Sequence, residues 1–450
     1  MILEKQYDEL LQLLKDKKYG ILHGRLSQMN ASDISEFLEE YVPQDGLVLT
    51  FRLTQKDKGA NAFAYLSSEI QEAIIKGISD REVGDLVNEL YTDDAADMIE
   101  ELPANVVKRV MRNVDSDTRD LINRFLQYPE NSAGSIMTAE FVDLKKNMTV
   151  AESFARIRKI GEDKETLYTM YVVDGNRKLE GVIEARDLLL SDHSAVIDEI
   201  MHTNIISVNT HDDQEKVSEL FSRYDLLAIP VVDMEQRLVG IVTVDDIIDV
   251  MEQEATEDFE LMAAMTPSEK PYLKTGVFTL AKNRVLWLML LMISATVTGS
   301  ILLHYEEAFL VVPLLVALMP MLTDTGGNAG CQSSTLIIRG MAVGEIYPRD
   351  ILLVLWKELR VSLLCGLALA AINFARVLVV YPGEVQVAFV VSIALVATVI
   401  MAKVVGCVLP IAAKVCKLDP AIMAAPLITT LVDAGALLLY FEIARIILKI

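Results

Sequence analysis

The sequence predicts a multidomain, mostly α-helical membrane protein in three parts: an acidic all-α superhelical domain, a repeated α/β unit and a five-helix transmembrane domain. Three observations carry this. The charge is split: of a formal −23, residues 1–270 hold −26 and residues 271–450 hold +3. The middle of the chain repeats itself at an offset of 59 residues. The last third is a series of apolar segments, each long enough for a hydrocarbon core of about 30 Å. The corresponding boundaries are 1–130, 131–250, a connecting, plug-like helix over 251–280, and 281–450.

So acidic a front half excludes nucleic acid as a partner, because phosphates would be repelled. It suits cations or a solvated surface. The cysteines (Cys331, Cys365, Cys407 and Cys416) lie in the apolar part without CxxC spacing, so neither a disulfide framework nor a zinc site is expected. The charged N-terminus does not read as a signal peptide.

Residues 1–130 read as short helices with starts at Ser32-Asp33, Ser67-Ser68-Glu69, Ser79-Asp80, Thr92-Asp93 and Ser116-Asp117. Helices this short must stack to be stable. Asp93 and Asp97 share a helix face with Glu100 and Glu101. That face reads either as a solvated surface or as part of a cation site.

In the repeat, Tyr171-Val-Val-Asp174, Leu179-Glu-Gly181-Val and Asp187 match Pro230-Val-Val-Asp233, Leu238-Val-Gly240-Ile and Asp246. Each copy reads as strand, turn, strand, helix. The pattern resembles a tandem pair of CBS domains, with Ile136-Met137-Thr138 and Ile200-Met201-His202 as the two lead-in segments. In nucleotide-binding CBS units a Ser or Thr stands three residues before the Asp. Thr243 and Asp246 keep that spacing, and Glu184 and Asp187 depart from it. The resemblance therefore points to ATP or AMP near Tyr168, Arg186, Asp187 and Thr243, or else to a dimerisation module without nucleotide.

The helix leaving the second copy carries Asp245, Asp246, Asp249, Glu252, Glu254, Glu257 and Asp258 within 14 residues. Like charges at i,i+4 weaken a helix, so compensation is expected. Oxygen ligands without His or Cys point to Mg²⁺ or Ca²⁺. No EF-hand loop is present.

Apolar crossings are expected at 285–303, 308–337, 351–380, 385–413 and 420–448. Lys274, Lys282, Arg284, Arg339, Arg349, Lys414 and Lys417 flank one side; Glu306, Glu307 and Glu384 flank the other. The positive-inside rule then makes the acidic part cytoplasmic and puts the C-terminus outside a multi-pass cell (inner) membrane protein. Two stretches are unusual. Asp433 lies inside the last crossing, one turn after Thr429 and Thr430 and two turns after Pro426, which should break the helix there. A carboxylate at such depth costs at least about 2.5 kcal/mol unless it meets water, a partner or an ion. In the second crossing Gly326 and Gly330 have GxxxG spacing, which close helix packing alone would explain; packing does not require Asp324, Asn328 and Gln332 as well, which read as an irregular, oxygen-lined segment. Pro410 should interrupt the fourth crossing in the same way, and Glu358 should lie near the inner interface.

Taken together, the chain resembles the MgtE family of magnesium channels over its whole length. The most specific pieces are Thr325-Gly-Gly-Asn-Ala-Gly-Cys-Gln-Ser333, Glu254-Ala-Thr-Glu257-Asp258, and Asp419-Pro420 followed by Pro426-Leu-Ile-Thr-Thr-Leu-Val-Asp433. The resemblance implies a homodimer in the lipid membrane, with Asp433 as the pore acid and Asp419, Thr429 and Asn328 near the ion path. It implies a cytoplasmic Mg²⁺ sensor made of Asp93, Asp97, Asp213, Asp225, Asp246, Asp249, Glu254, Glu257 and Asp258. Ala425 and Asn61 depart from the family pattern. The implied function is Mg²⁺ entry, closed by Mg²⁺ on the acidic domains. The other reading is a membrane-anchored CBS nucleotide or ion sensor without a pore. No nucleophile–base set suggests an enzyme.

Overall fold

The computed structural model describes residues 2–268, 272–273, 275–306, 311–423 and 425–449. Lys274, Glu307 and the first residues of the expected second crossing lie outside that set. The described chain divides into two compact units, Met1–Glu252 and Gln253–Ile450.

The first unit begins with short α-helices between Ile2 and Phe125. They stack around one core in which Leu22, Phe37, Phe63, Ile74, Val87 and Val110 are fully buried. Ser79 builds a capping box with Glu82, as its spacing predicts. The helix expected from Ser116 is capped one residue earlier, by Asp115 onto the Thr118 amide. Thr92 opens α1 (Thr92–Glu101) but is not its cap. Its hydroxyl donates instead to Glu140 Oε1 at 2.6 Å, tying the helical array to the repeat.

The repeat forms two three-stranded sheets: β1 (Asp143–Leu144), β2 (Thr169–Val173) and β3 (Leu179–Glu184), then β4 (Val208–Asn209), β5 (Ala228–Val232) and β6 (Leu238–Thr243). In each, the first strand is parallel to the second and the second antiparallel to the third. The offset of 59 holds pair by pair: Tyr171↔Val182 becomes Pro230↔Ile241, and both hairpins shift register at the equivalent place, Val172/Val173 and Val231/Val232. The lead-in segments are exchanged. Thr138 bridges to Ile241 in the second copy, and His202 bridges to Val182 in the first. The bare glycines of the two hairpins admit them. A Cβ on Gly181 would stand 2.5 Å from Met201 Sδ, and one on Gly240 would stand 2.7 Å from both Met137 Sδ and the Thr138 carbonyl. From β6 the chain enters α2 (Val244–Met262).

The second unit holds five long helices: α3 (Val277–His304), α4 (Leu314–Ala342), α5 (Ile351–Val380), α6 (Val385–Val415) and α7 (Ala425–Leu448). Among the described residues, four stretches are long and apolar enough to cross a membrane: Val277–His304, Pro348–Val380, Val385–Val415 and Pro420–Leu448. The fifth expected crossing, α4, has 29 residues, but its Thr323–Ser334 run is too polar for that set. In α4 and α6 the expected interruptions do not occur. α4 is continuous through its glycines and Pro320, and α6 continues through Pro410. Pro426 falls in the first turn of α7, where a proline sacrifices no helical hydrogen bond. α6 is the buried centre of this unit, with Val387, Val391, Ala394, Val399 and Ala402 fully packed.

The exchanged lead-ins generate a prediction. A methyl group at Gly240 meets backbone, which cannot rotate away, so Gly240→Ala should destabilise the repeat by about 1–3 kcal/mol. Gly175→Ala, where nothing lies within 4 Å, should stay within about 0.5 kcal/mol of the parent. Urea midpoints of the two variants measure the difference.

Candidate functional site

Two places gather the chemistry that the sequence singled out, one in each unit.

In the first unit, three segments converge. α1 supplies Asp93, Asp94 and Asp97; the lead-in and the loop before β2 supply Glu140 and Glu165; the first turns of α2 supply Asp245, Asp246 and Asp249. Some of these acids are anchored. Glu140 accepts from the hydroxyls of Thr92 at 2.6 Å and Thr138 at 2.5 Å. Asp246 Oδ2 accepts from the Thr243 hydroxyl at 2.6 Å. Others are not: Asp93 Oδ1 and Glu165 Oε2 are buried without a hydrogen-bond partner. A buried anion without compensation is costly, so the protonated form gains. Burial, then the Asp94, Asp246 and Glu165 charges, hold the Asp93 carboxyl well above the usual carboxylate range. Burial followed by neighbouring acids raises Asp94 to about 6 and Glu165 to about 8. Asp246 reaches about 6, where burial outweighs its Thr243 hydrogen bond. Asp97 lies at the open rim, and the surrounding protein together with Asp94, Glu100 and Glu101 raises it to about 7. Among the described residues no three of these side chains form a chelating set. The arrangement is a crowd of partly compensated acids with oxygen atoms to spare.

Of the expected sensor residues, Asp93, Asp97, Asp246 and Asp249 therefore meet. Asp213 and Asp225 stand at opposite ends of the helix Gln214–Tyr224: Asp213 caps its start through the Glu215 amide, and Asp225 closes it in the left-handed region at φ 52°. Glu254, Glu257 and Asp258 follow on α2, within the second unit. Glu140 and Glu165 are new to the set. Glu140 stands in the lead-in and Glu165 ends the charged loop Glu162-Asp-Lys-Glu165, neither with helical periodicity, and only the tertiary fold brings them in. Of the expected nucleotide residues, Tyr168 is exposed and beside the first sheet, Arg186 is exposed, and Asp187 pairs with His202 at 3.1 Å. Thr243 is committed to Asp246 and so faces the acids.

In the second unit, the glycines of α4 are explained by packing. A Cβ on Gly326 would stand 2.9 Å from Val432, one on Gly327 3.0 Å from Thr429, and one on Gly330 2.7 Å from Ile428, all three on α7. This close approach leaves Asp324, Asn328, Gln332 and Thr335 on the outer, uncovered side of α4. Asp324 is an electrostatic neighbour of half-buried Asp433. Thr429 and Thr430 both donate to the Pro426 carbonyl at 2.9 Å, which keeps their methyl groups, not their hydroxyls, free for packing. Asp419 is exposed and accepts from the Ala421 amide at 2.7 Å, capping the short turn before α7. Glu358, near the start of α5, is nearly buried within the unit, 3.5 Å from Lys403.

Family models match along the chain: "MgtE intracellular N domain" over 29–131, "CBS domain" over 133–193 and 197–253, and "Divalent cation transporter" over 319–443. The chain is 37% identical to a magnesium transporter MgtE of Thermus thermophilus, over 97% of this chain and all of that protein. It belongs to the MgtE family. A second relative, the magnesium transporter MgtE of Bacillus subtilis, is 32% identical over 99% of this chain and 98% of its own length. Two solved structures resemble the first unit. One is the soluble part of a magnesium transporter (31% identity, TM-score 0.54, covering 56% of this chain and 99% of that one). The other is the cytosolic domain of the Mg²⁺ channel MgtE in complex with ATP (33%, 0.52, covering 54% and 99%). The family, the apolar helices and the acidic front domains make this a multi-pass membrane protein with cytoplasmic soluble domains.

The raised acids predict a pH dependence. Their folded values, about 6 to 8, exceed the unfolded carboxylate value of about 4, so the folded state holds more protons. Stability is therefore lost as pH rises from about 4 through that window. Without divalent cation, residues 1–262 should unfold at lower urea at pH 8 than at pH 5.5. Saturating Mg²⁺ should abolish most of the difference, an outcome that urea midpoints with and without the cation would check.

Proposed function

We propose that this protein is a Mg²⁺-selective channel or transporter that carries Mg²⁺ into the cytoplasm and closes when Mg²⁺ occupies its acidic cytoplasmic cluster. The observation that carries the reading is the pair of orphaned buried oxygens, Asp93 Oδ1 and Glu165 Oε2, in a ring of acids from three separate segments. Such a ring is stable only if protonated or bridged by a cation. Hard oxygen donors without nitrogen or sulfur suit Mg²⁺, which keeps much of its water shell. ATP at the first CBS copy, near Tyr168, Arg186 and Asp187, is the accessory ligand this reading adopts from the relative that binds it.

The pore is a homodimer's, with the C-termini outside. The exposed polar side of α4 and half-buried Asp433 are unsuited to lipid. A second copy facing them encloses an oxygen-lined path, with Asp433 of both protomers near one another. Paired carboxylates attract the hydrated ion without stripping it, so it enters readily and leaves readily. Asp419 and Asn328 line the approach. The exposed polar side of α4 also favours this reading over a sensor without a pore.

Closure follows from linkage. Ionised acids repel and loosen the cytoplasmic domains. Mg²⁺ favours the compact state in proportion to its tighter binding there. α2 starts among the sensor acids and continues through Glu254, Glu257 and Asp258, so it is the element that carries the change toward the pore. Asp213 and Asp225 act with it at the contact with the second copy.

Asp433→Ala in proteoliposomes should lower Mg²⁺ uptake at least tenfold while leaving reconstituted protein levels unchanged; parental flux would refute the pore assignment. The triple variant Asp246→Asn, Asp249→Asn, Glu257→Gln should keep conducting at Mg²⁺ concentrations that close the parent. Closure at the parental concentration would remove the sensor.

A further inference from the structure

The second unit buries a charge that the ion path does not use. Lys403, two-thirds of the way along α6, has a side chain only 7% exposed. Its neighbours Val399, Ala402, Gly406 and Cys407 are apolar and buried. Its Nζ donates to Ser333 Oγ of α4 at 3.1 Å and lies 3.5 Å from Glu358 Oε2 of α5, and Ser333 Oγ donates to the same Glu358 oxygen at 2.6 Å. Three helices thus meet at one closed, hydrogen-bonded triad. At 1.5 Å per residue, these residues lie about 10–18 Å from the nearer ends of their helices.

A buried ion pair is poor glue. Apolar residues of the same volume often stabilise as much or more, whereas losing one partner leaves a costly lone charge. What the triad adds is geometry. Next to the triad, the α4 surface against α6 and α7 is Gly326, Gly327, Ala329 and Gly330, with the larger buried side chains Leu315, Leu318 and Leu322 before it and Ile337 and Ile338 after it. A stretch of such small residues packs closely but has few knobs of its own to fix rotation about the helix axis. Ser333 adds a polar stop at the end of that stretch. At roughly 100° per residue, Ser333 held inward places Asp324 on the opposite side and sends Asn328 and Gln332 away from the bundle. That matches their exposure.

We infer that Lys403, Glu358 and Ser333 are positioning residues that lock the rotation of α4 and so aim its polar side at the ion path. This rests on the channel reading above for its consequence, but not for its geometry. Glu358→Gln and Lys403→Gln should each lower Mg²⁺ uptake at least tenfold and admit Na⁺ that the parent excludes. Lys403→Arg should keep most of the uptake. The exchanged pair Glu358→Lys/Lys403→Glu should recover at least a third of it, since the Ser333 hydroxyl can both donate and accept. A flux-independent readout comes from spin labels at Gln332→Cys and Ile446→Cys in a background without native cysteines, diluted with unlabelled protein. The single charge variants should shift or broaden the parental distance by more than about 3 Å, two helical residues of rise. Parental uptake, selectivity and distance in both single variants would overturn the inference. If those variants fail to reach the membrane, Ser333→Ala, which keeps both charges, decides: a shifted distance and a several-fold loss support the lock, and parental behaviour overturns it. If the parent itself passes no Mg²⁺, the channel reading fails and the spin-label distance alone judges the triad.

Discussion

Uncompensated negative charge governs this molecule. In the cytoplasmic unit, eight acids from α1, the first CBS copy and α2 occupy one region, and two of their oxygens are buried with nothing to bond. Side-chain hydroxyls of Thr92, Thr138 and Thr243 offset part of the cost. The rest must come from protons or a divalent cation. A domain with this balance is conditionally stable, and a condition of that kind is what a sensor requires. The membrane unit resolves its own buried charge differently, with the fixed ammonium of Lys403 against Glu358. One unit leaves its compensation to a diffusible ion; the other builds it in.

This division has a mechanical reading. Where compensation is covalently built in, geometry is constant, which suits the walls of a path. Where it is borrowed from solution, geometry follows concentration, which suits a gate. α2 begins in the second kind of environment, and its continuity as a single helix from Val244 to Met262 makes it the natural carrier of any change.

Much of this was legible in the sequence. The 59-residue offset reappears as strand register down to the position of the irregularity, because the same alternation of apolar residues dictates both hairpins. Asp93, Asp97, Asp246 and Asp249 were found because clustering on a helix face is a periodic signal. Glu140 and Glu165 were not, since an acid in a loop or lead-in carries no helical periodicity and is brought in only by the packing of the helical array on the repeat. The GxxxG spacing of Gly326 and Gly330 marked a packing face, as found, whereas the irregular backbone expected in α4 and the interruption expected at Pro410 do not occur. Packing of α4 on α7, and the first-turn place of Pro426, keep the helices intact. Lys403 had a signal, a lone lysine in an apolar run, but without its partners on α4 and α5 the sequence gives it no role.

The exchanged lead-in segments bear on how the chain is made. Thr138 completes its bridge only with Ile241, about a hundred residues later, and His202 pairs back onto Val182. Domains emerge from the ribosome N-terminus first, and contacts of large sequence separation form late. The helical array can close as soon as it is synthesised, and His202 can complete the first hairpin, but the first lead-in segment has no strand to bridge until the second hairpin arrives. Its waiting residues, Met137 and Thr138, lead directly into Glu140, which accepts from Thr92 of the array. Assembly of the acidic cluster is therefore a late event in biosynthesis, reached only when the second hairpin has been made, just ahead of the first membrane helix in the chain.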